Sequence, residues 1–201
     1  MTELSNWNSM GEEERRKTLE EIEKQEAIAN NRPPAAVLPK DYPNPSEEGQ
    51  YRYPANEIDI NRKYILEDQP DNALRTLYHE GRHAYQFKEA ENPSVADNPE
   101  QAQQWRYNLE NYKRPEIDMK AYCNQPVEVD ARAYAQQKML EYEKQKSQQQ
   151  NTNNQPPTQE PGKPSPAVQR YREKEAARQE AIKTHREAHG NTQDHTQGRG
   201  K

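Results

Sequence analysis

The stretch Leu77-Tyr-His-Glu-Gly-Arg-His-Ala-Tyr-Gln86 decides the fold and carries the strongest chemical signal in the chain. Its histidines, His79 and His83, are four residues apart, so a helix separates them by about 400° of rotation and projects both from one face. Glu80 lies about 100° further round that helix. Two imidazoles on one face can bind one metal ion, and a carboxylate beside them can serve as a general base.

Apolar residues around this motif recur with the spacing of a helix. The row consists of Leu74, Leu77, Tyr78, Gly81, Ala84 and Tyr85. We therefore predict a helix whose core face is this row, with the two histidines and Glu80 off that face. Gly81 costs about 1 kcal/mol relative to Ala inside a helix, which indicates a close contact with another segment.

The remaining pattern predicts an α+β fold with a small sheet. A charged run from about residue 11 to 31 is strongly helix-forming, and Pro-Pro at 33–34 follows it. Strand candidates cover residues 35–38, 50–53 and 57–60, where Glu57-Ile-Asp-Ile60 alternates as a half-buried strand does. Further helices are predicted over 101–112 and from Pro126, a favourable first helical position, to about Lys146.

Composition predicts one folded domain and a polar tail. The chain has 201 residues, of which 29% are hydrophobic and 31% charged, and its mean hydropathy is −1.56. Large apolar residues concentrate before residue 145, so we expect a domain over 1–145 and a largely disordered tail over 146–201, with a marginal helix at 169–189. The tail carries ten Lys/Arg and six Asp/Glu, a net +4, which leaves −9 on the remainder of a chain of net charge −5. Neither value predicts binding to nucleic acid.

No apolar run approaches the ~20 residues that a membrane-spanning helix needs, and the polar N-terminus lacks the apolar centre of a signal peptide. We expect a protein that is cytoplasmic in the producing cell or exported by a non-classical route, and that does not associate with membranes. Cys123 is the only cysteine, so no intramolecular disulfide forms, and we expect it to be a small buried residue.

A catalytic zinc site takes three protein ligands, so one ligand must come from outside the motif. The best candidate is Glu128, which lies 45 residues after His83 in the first turn of the helix that begins at Pro126. Asp130 is the alternative ligand, and a capping role for Glu128 at its helix terminus is the competing interpretation. The prediction is one Zn²⁺ per chain, held by His79, His83 and Glu128.

Glu80 would be the catalytic base that takes a proton from water as it attacks a polarised carbonyl. The donor that stabilises the resulting oxyanion is open between Tyr134, Tyr122 and Arg82. The strand Glu57–Ile60 could be a sheet edge that pairs with a peptide substrate. His185 and His189 in the tail are also four apart, but with no apolar face to anchor a site we do not expect them to be functional.

The segments His79-Glu-Gly-Arg-His83 and Glu128-Val-Asp-Ala131 together resemble the gluzincin branch of the zincin metallopeptidases. The second segment, extended to Ala135, is similar to part of the ImmA/IrrE-type peptidases, and the order of elements resembles the zincin-like domains of bacterial polymorphic toxins. The resemblance covers about residues 50–140. It implies a compact zincin-like domain with zinc ligands His79, His83 and Glu128 and the base Glu80.

From this resemblance we expect a zinc-dependent metalloendopeptidase, perhaps a toxin or effector of a bacterium or mobile element. Its partners would be a protein or peptide substrate and a neutralising or regulatory protein. One alternative is an intracellular regulatory protease that cleaves a repressor. Another is a non-enzymatic binding or scaffold protein, although the intact Glu80 favours an enzyme.

Overall fold

The computed structural model of the chain describes residues 3–153, and over that range the fold is α+β, as predicted. The strands are β1 (Ala36–Lys40), β2 (Gly49–Arg52) and β3 (Glu57–Asn61). The helices are α1 (Glu12–Ala29), α2 (Arg62–Leu66), α3 (Asp71–Glu91), α4 (Pro99–Glu110), α5 (Met119–Asn124) and α6 (Pro126–Asn153), with short 3-10 segments at Glu3–Ser9 and Pro93–Val95. Elements up to Gln149 belong to one compact unit. The predicted helix at 169–189 and nearly all of the predicted tail lie outside the described residues.

The sheet has the order β1-β3-β2, with β1 parallel and β2 antiparallel to β3. The prediction that residues 57–60 form an edge strand is therefore wrong, because β3 is paired on both sides. Alternation of Glu and Ile suggested one solvated face, but Asp59 is only 1% exposed. Lys40 and Arg52 of the flanking strands form ion pairs with its carboxylate at 3.1 Å each, which compensates for its burial.

The core lies between one face of this sheet and three helices, α1, α3 and α6. Its members include Val37, Ile58 and Ile60 from the sheet, Leu19 from α1, Leu74 and Leu77 from α3, and Met139 and Tyr142 from α6. Trp7 of the first 3-10 segment and Ile65 of α2 extend this core. Leu74, Leu77 and Tyr78 of the predicted apolar row lie in this core, whereas Tyr85 packs edge to face against Trp105 of α4 instead. Helix α3 contacts β2 and β3, and its polar residues meet β2 at Glu80 and the first turn of α6 at the two histidines.

Two glycines allow close approaches to α3. A Cβ on Gly49 of β2 would lie 2.6 Å from the backbone oxygen of Asp59 and would also clash with Thr76 Cγ2. A Cβ on Gly81 would lie 3.1 Å from Arg32 Nη2, so the close contact predicted for this glycine is present. Arg32 and Glu23 form a fully buried ion pair there, with nitrogen–oxygen distances of 2.5 and 2.8 Å.

Helix α6 begins at Pro126, as predicted, and its start is fastened to α4. The Asn108 side chain accepts a hydrogen bond from the Val127 amide at 3.0 Å and donates one to Gln125 Oε1 at 3.1 Å. Val127 is fully buried, which orients the first turn of α6 towards α3. No helix in the described part of the chain is long and apolar enough to cross a bilayer.

Cys123 is exposed, so the prediction that it is buried is wrong. It lies on α5, a six-residue helix in which no residue is buried. Cysteine packs inside proteins because it is small and apolar, and this segment offers no interior for it to enter. Its thiol contacts Met119 Sδ at 3.8 Å.

Candidate metal centre

Helix α3 brings the two motif histidines together on its polar side. His79 Nε2 and His83 Nε2 lie 3.2 Å apart, and the rings meet edge to face with their centroids 4.8 Å apart. His83 is 8% exposed even though it lies off the apolar row, because α6 covers this side of the helix. Both imidazoles therefore direct Nε2 to one point, as the four-residue spacing predicted.

Helix α6 contributes Glu128 to the same point. Its carboxylate oxygens Oε2 and Oε1 lie 3.3 Å from His79 Nε2 and 3.3 Å from His83 Nε2, respectively. The side chain is 1% exposed and faces α3. Asp130, the alternative ligand, instead accepts hydrogen bonds from Arg82 at 2.7 and 3.1 Å and from Gln86 at 2.7 Å.

The spacing of these atoms is compatible with one bound metal ion. A tetrahedral zinc with bonds of about 2.0–2.1 Å separates its ligand atoms by about 3.3 Å. The two imidazole Nε2 atoms are 3.2 Å apart, and each lies 3.3 Å from a different oxygen of Glu128. With one ligand atom taken from each residue, the three atoms lie within 4.8 Å of one another. His79, His83 and Glu128 form a group that could hold a metal, with one ligand atom offered by each. Glu128 Oε2 is buried without a hydrogen-bond partner, and Arg132 Nη1 is 3.7 Å from it. A buried carboxylate oxygen of this kind is normally paired or bound to a metal.

Charge couples His83 to Glu128 in the metal-free protein. Burial acts to lower the pKa of His83, but the hydrogen bond with Glu128 and the charges of Glu80 and Glu128 outweigh it and raise that pKa to about 9. Burial likewise opposes ionisation of Glu128, yet the close contacts of its carboxylate with His79 and His83 hold its pKa well below the usual range. The carboxylate is therefore ionised at neutral pH, which is the state that binds a metal.

Glu80 lies between the histidines and the sheet. Its Oε2 accepts a hydrogen bond from the Tyr51 amide of β2 at 2.7 Å, and its side chain is buried. Because β2 is an outer strand, this amide belongs to the free edge of the sheet. The charge of Glu80 also raises the pKa values of His83, Tyr112 and Tyr122, so its carboxylate is close to the centre, although it is not in the group of possible ligands.

Two tyrosines contact the Glu128 carboxylate. Tyr112 Oη donates to Glu128 Oε1 at 2.6 Å, and Tyr122 packs edge to face against the Tyr112 ring with centroids 6.2 Å apart. Burial first, and then the neighbouring Glu128, raises the pKa of each phenol well above its ordinary value, so both remain hydrogen-bond donors. Of the three predicted oxyanion donors, Tyr122 is at the centre.

The other two predicted donors are engaged elsewhere. Tyr134 Oη donates to Glu26 Oε2 at 2.5 Å and accepts from Asn30 at 3.0 Å, which places it against α1. Arg82 binds Asp130, and its guanidinium lies over the ring of Tyr134 at 4.9 Å from the ring centroid. Arg82 is adjacent to His83 in sequence and Tyr134 is six residues after Glu128, but side-chain direction takes both away from the histidines.

Tyr112 was not among the predicted site residues. It was predicted as the last residue of a helix over 101–112, but α4 ends at Glu110 and Tyr112 follows it in an irregular segment, where helical periodicity does not give the direction of a side chain. Gln125 fixes this segment by donating to the Lys113 carbonyl at 3.0 Å and accepting from the Lys113 amide at 3.1 Å. This contact between Gln125 and Lys113 holds the neighbouring Tyr112 beside Glu128. No local sequence pattern predicts such a contact.

The resemblance to zincins rests on two short segments, 79–83 and 128–131. The side chains predicted as ligands in these segments lie close together. His185 and His189, which were not expected to be functional, lie outside the described residues. No family model matches the chain, and neither a curated protein nor a solved structure matches it.

Proposed function

We propose that this chain is a zinc-dependent peptide hydrolase whose zinc ligands are His79, His83 and Glu128 and whose general base is Glu80. The observation that supports it most is the convergence of these three side chains. The two Nε2 atoms are 3.2 Å apart, each lies 3.3 Å from one oxygen of Glu128, and one ligand atom from each residue lies within 4.8 Å of the others. Three protein ligands of the His₂Glu type with a fourth position open are typical of catalytic rather than structural zinc. The separate carboxylate of Glu80, close to these three side chains but not among them, adds the base that hydrolysis requires.

Zinc bound by these side chains would supply Lewis acidity, which polarises a substrate carbonyl and favours deprotonation of water. Glu80 takes the proton from the attacking water and passes it to the leaving amine. The Tyr51 amide donates to one oxygen of Glu80 at 2.7 Å, which favours a position of the carboxylate beside the three ligands rather than among them. Tyr112 already donates its single hydrogen to Glu128 Oε1, so Tyr122 is the candidate donor for an oxyanion that forms at this centre.

The substrate in this proposal is an extended peptide lying along β2. That strand has a free edge, and its Tyr51 amide meets the catalytic carboxylate, so a peptide paired with β2 passes next to Glu80. This assigns to β2 the substrate-binding role that the sequence analysis gave to residues 57–60. The aromatic pair Tyr53 and Phe87, stacked with centroids 4.7 Å apart, lies just beyond the end of the same strand.

The decisive experiment compares the full chain with its Glu80→Gln and His83→Ala variants. Zinc content after purification should be about one per chain for the wild type and for Glu80→Gln, and much lower for His83→Ala. Cleavage of an internally quenched peptide library should fall by about 10²- to 10⁴-fold in Glu80→Gln, because an amide cannot take the proton. Glu80→Gln is the matched control for metal binding, since it retains an oxygen to accept from Tyr51. A wild type that binds no zinc when zinc is supplied, or a Glu80→Gln variant that cleaves normally, would refute the proposal.

A further inference from the structure

Gln86 is a fully buried residue that connects α3, which carries His79 and His83, to α6, which carries Glu128. It is 0% exposed and lies on α3, three residues after His83. Its Oε1 is 2.8 Å from His83 Nδ1, and its Nε2 donates to the Val127 carbonyl at 2.9 Å and to Asp130 Oδ2 at 2.7 Å. All three polar contacts of this side chain are thus with the metal centre or with the first turn of α6.

The partners of Gln86 allow only one orientation of its amide. The Val127 carbonyl can only accept, and Asp130 Oδ2 already accepts from Arg82 Nε at 2.7 Å. The end of the amide facing them must therefore be the NH₂ group, and the end facing His83 must be the oxygen. An amide oxygen only accepts, so His83 Nδ1 must carry the hydrogen that is donated to it.

We propose that Gln86 is the positioning residue that prepares His83 to bind zinc. Its oxygen holds the hydrogen on Nδ1, which leaves the lone pair of the neutral imidazole on Nε2, the atom that points to His79 and Glu128. Asp130 acts through Gln86 by fixing the amide orientation. Asp130 is itself held by Arg82, whose guanidinium lies over Tyr85 and Tyr134 at 4.5 and 4.9 Å. The proposal rests on the zinc site proposed above.

Two variants of the full chain separate positioning from simple packing. Gln86→Met keeps the volume and removes the acceptor for Nδ1–H. Gln86→Glu keeps that acceptor but removes the donor and buries a second carboxylate next to Asp130. If Gln86 positions His83, zinc binding should weaken by about 10- to 100-fold in Gln86→Met and by less than about tenfold in Gln86→Glu. If Gln86 only joins the helices, zinc binding should weaken more in Gln86→Glu than in Gln86→Met, because the buried carboxylate destabilises the fold more.

The measurements are the zinc dissociation constant, by competition with a chromogenic chelator, and the imidazole N–H signals of the zinc-loaded protein by NMR. The wild type should show a slowly exchanging Nδ1–H that is absent in Gln86→Met. Leu19→Ala is the control for stability alone, since Leu19 is fully buried far along the chain from the centre and its loss should leave zinc affinity within about threefold.

Unchanged zinc affinity and an unchanged Nδ1–H signal in Gln86→Met would overturn the positioning role while leaving the zinc site intact. Failure of the wild type to bind zinc would overturn the proposed function instead, so the two failures are distinguishable. If Gln86→Glu does not fold, the comparison of Gln86→Met with Leu19→Ala still decides, because positioning predicts weaker zinc binding only in the former.

Discussion

Replacing Glu128 by Gln is the sharpest test of which carboxylate completes the metal centre. The substitution keeps the size of the side chain and the hydrogen bond from Tyr112, but it removes the negative charge that lies 3.3 Å from both imidazole nitrogens. Asp130→Asn makes the same chemical change on the same helix, two residues away. Because Asp130 contacts Arg82 and Gln86 rather than the histidines, the two variants should differ strongly in zinc binding.

The magnitude follows from the number of ligands. Zinc binding to four-ligand structural sites releases about 10–16 kcal/mol, so one ligand contributes about 2.5–4 kcal/mol, or about 100- to 1,000-fold in the dissociation constant. Glu128→Gln should lose that amount. Asp130→Asn retains an oxygen to accept from Gln86 and should lose less than about tenfold.

The assay is competition for zinc with a chromogenic chelator at pH 7.5, on protein shown by urea denaturation to be folded. Zinc affinity that is unchanged in Glu128→Gln would refute the proposed ligand set. A larger loss of zinc affinity in Asp130→Asn than in Glu128→Gln would indicate that Asp130 is the ligand. It would also mean that α6 packs on α3 in another orientation.

Three further predictions concern the stability of the fold and the pH dependence of stability without bound metal. Gly49→Ala should lower the free energy of unfolding by about 2 kcal/mol or more in urea denaturation, since the added methyl would lie 2.6 Å from the Asp59 carbonyl oxygen, which is fixed in the sheet. Glu23→Gln should cost about 3–5 kcal/mol in the same assay, because it leaves the Arg32 guanidinium buried without its counter-charge. In EDTA, the free energy of unfolding should decline by about 3 kcal/mol as pH rises from 6.5 to above 9. Folding raises the pKa of His83 from 6.5 to about 9, so protonation of His83 stabilises the folded protein. This stabilisation is complete below pH 6.5 and is lost as pH rises through 9.

Each of these outcomes has a matched control. Gly11→Ala adds a methyl whose nearest neighbour would be 4.0 Å away, so it should cost no more than the change of N-cap residue at the start of α1, about 1 kcal/mol. Glu13→Gln removes an exposed partner of Arg16 and should change stability little, in contrast to Glu23→Gln. The zinc-loaded protein should lack the decline between pH 6.5 and 9. Similar losses in the variants and their controls, or a flat profile in EDTA, would contradict the structural reasoning.

Much of the chain was predictable from local pattern. Helical spacing of apolar residues indicated α3, Pro126 indicated the start of α6, and the four-residue spacing of His79 and His83 predicted that both imidazoles share a face. These features depend on the 3.6-residue period of a helix and on the fixed φ of proline, which are properties of neighbouring residues. Local rules were therefore sufficient for them.

The strand order was not predictable in the same way. Residues 57–60 alternate like a strand with one solvated face. However, β1 and β2 pair with opposite sides of β3, so β3 is the central strand. Asp59 tolerates burial only because Lys40 and Arg52 come from both neighbouring strands. Pairing between strands and compensation of a buried charge are contacts between distant segments, which alternation along one strand does not encode.

The sequence by itself determined the α+β class, the histidine helix and the short list of acidic residues that could complete a metal centre. Only the tertiary structure selected Glu128 over Asp130 for contact with the histidines, brought Tyr112 to the same carboxylate and left Cys123 exposed. The physical reason is that helical periodicity fixes which way a side chain points from its own helix. Which group it then meets depends on how the sheet, α3 and α6 pack, and that packing is settled by burial over the whole domain.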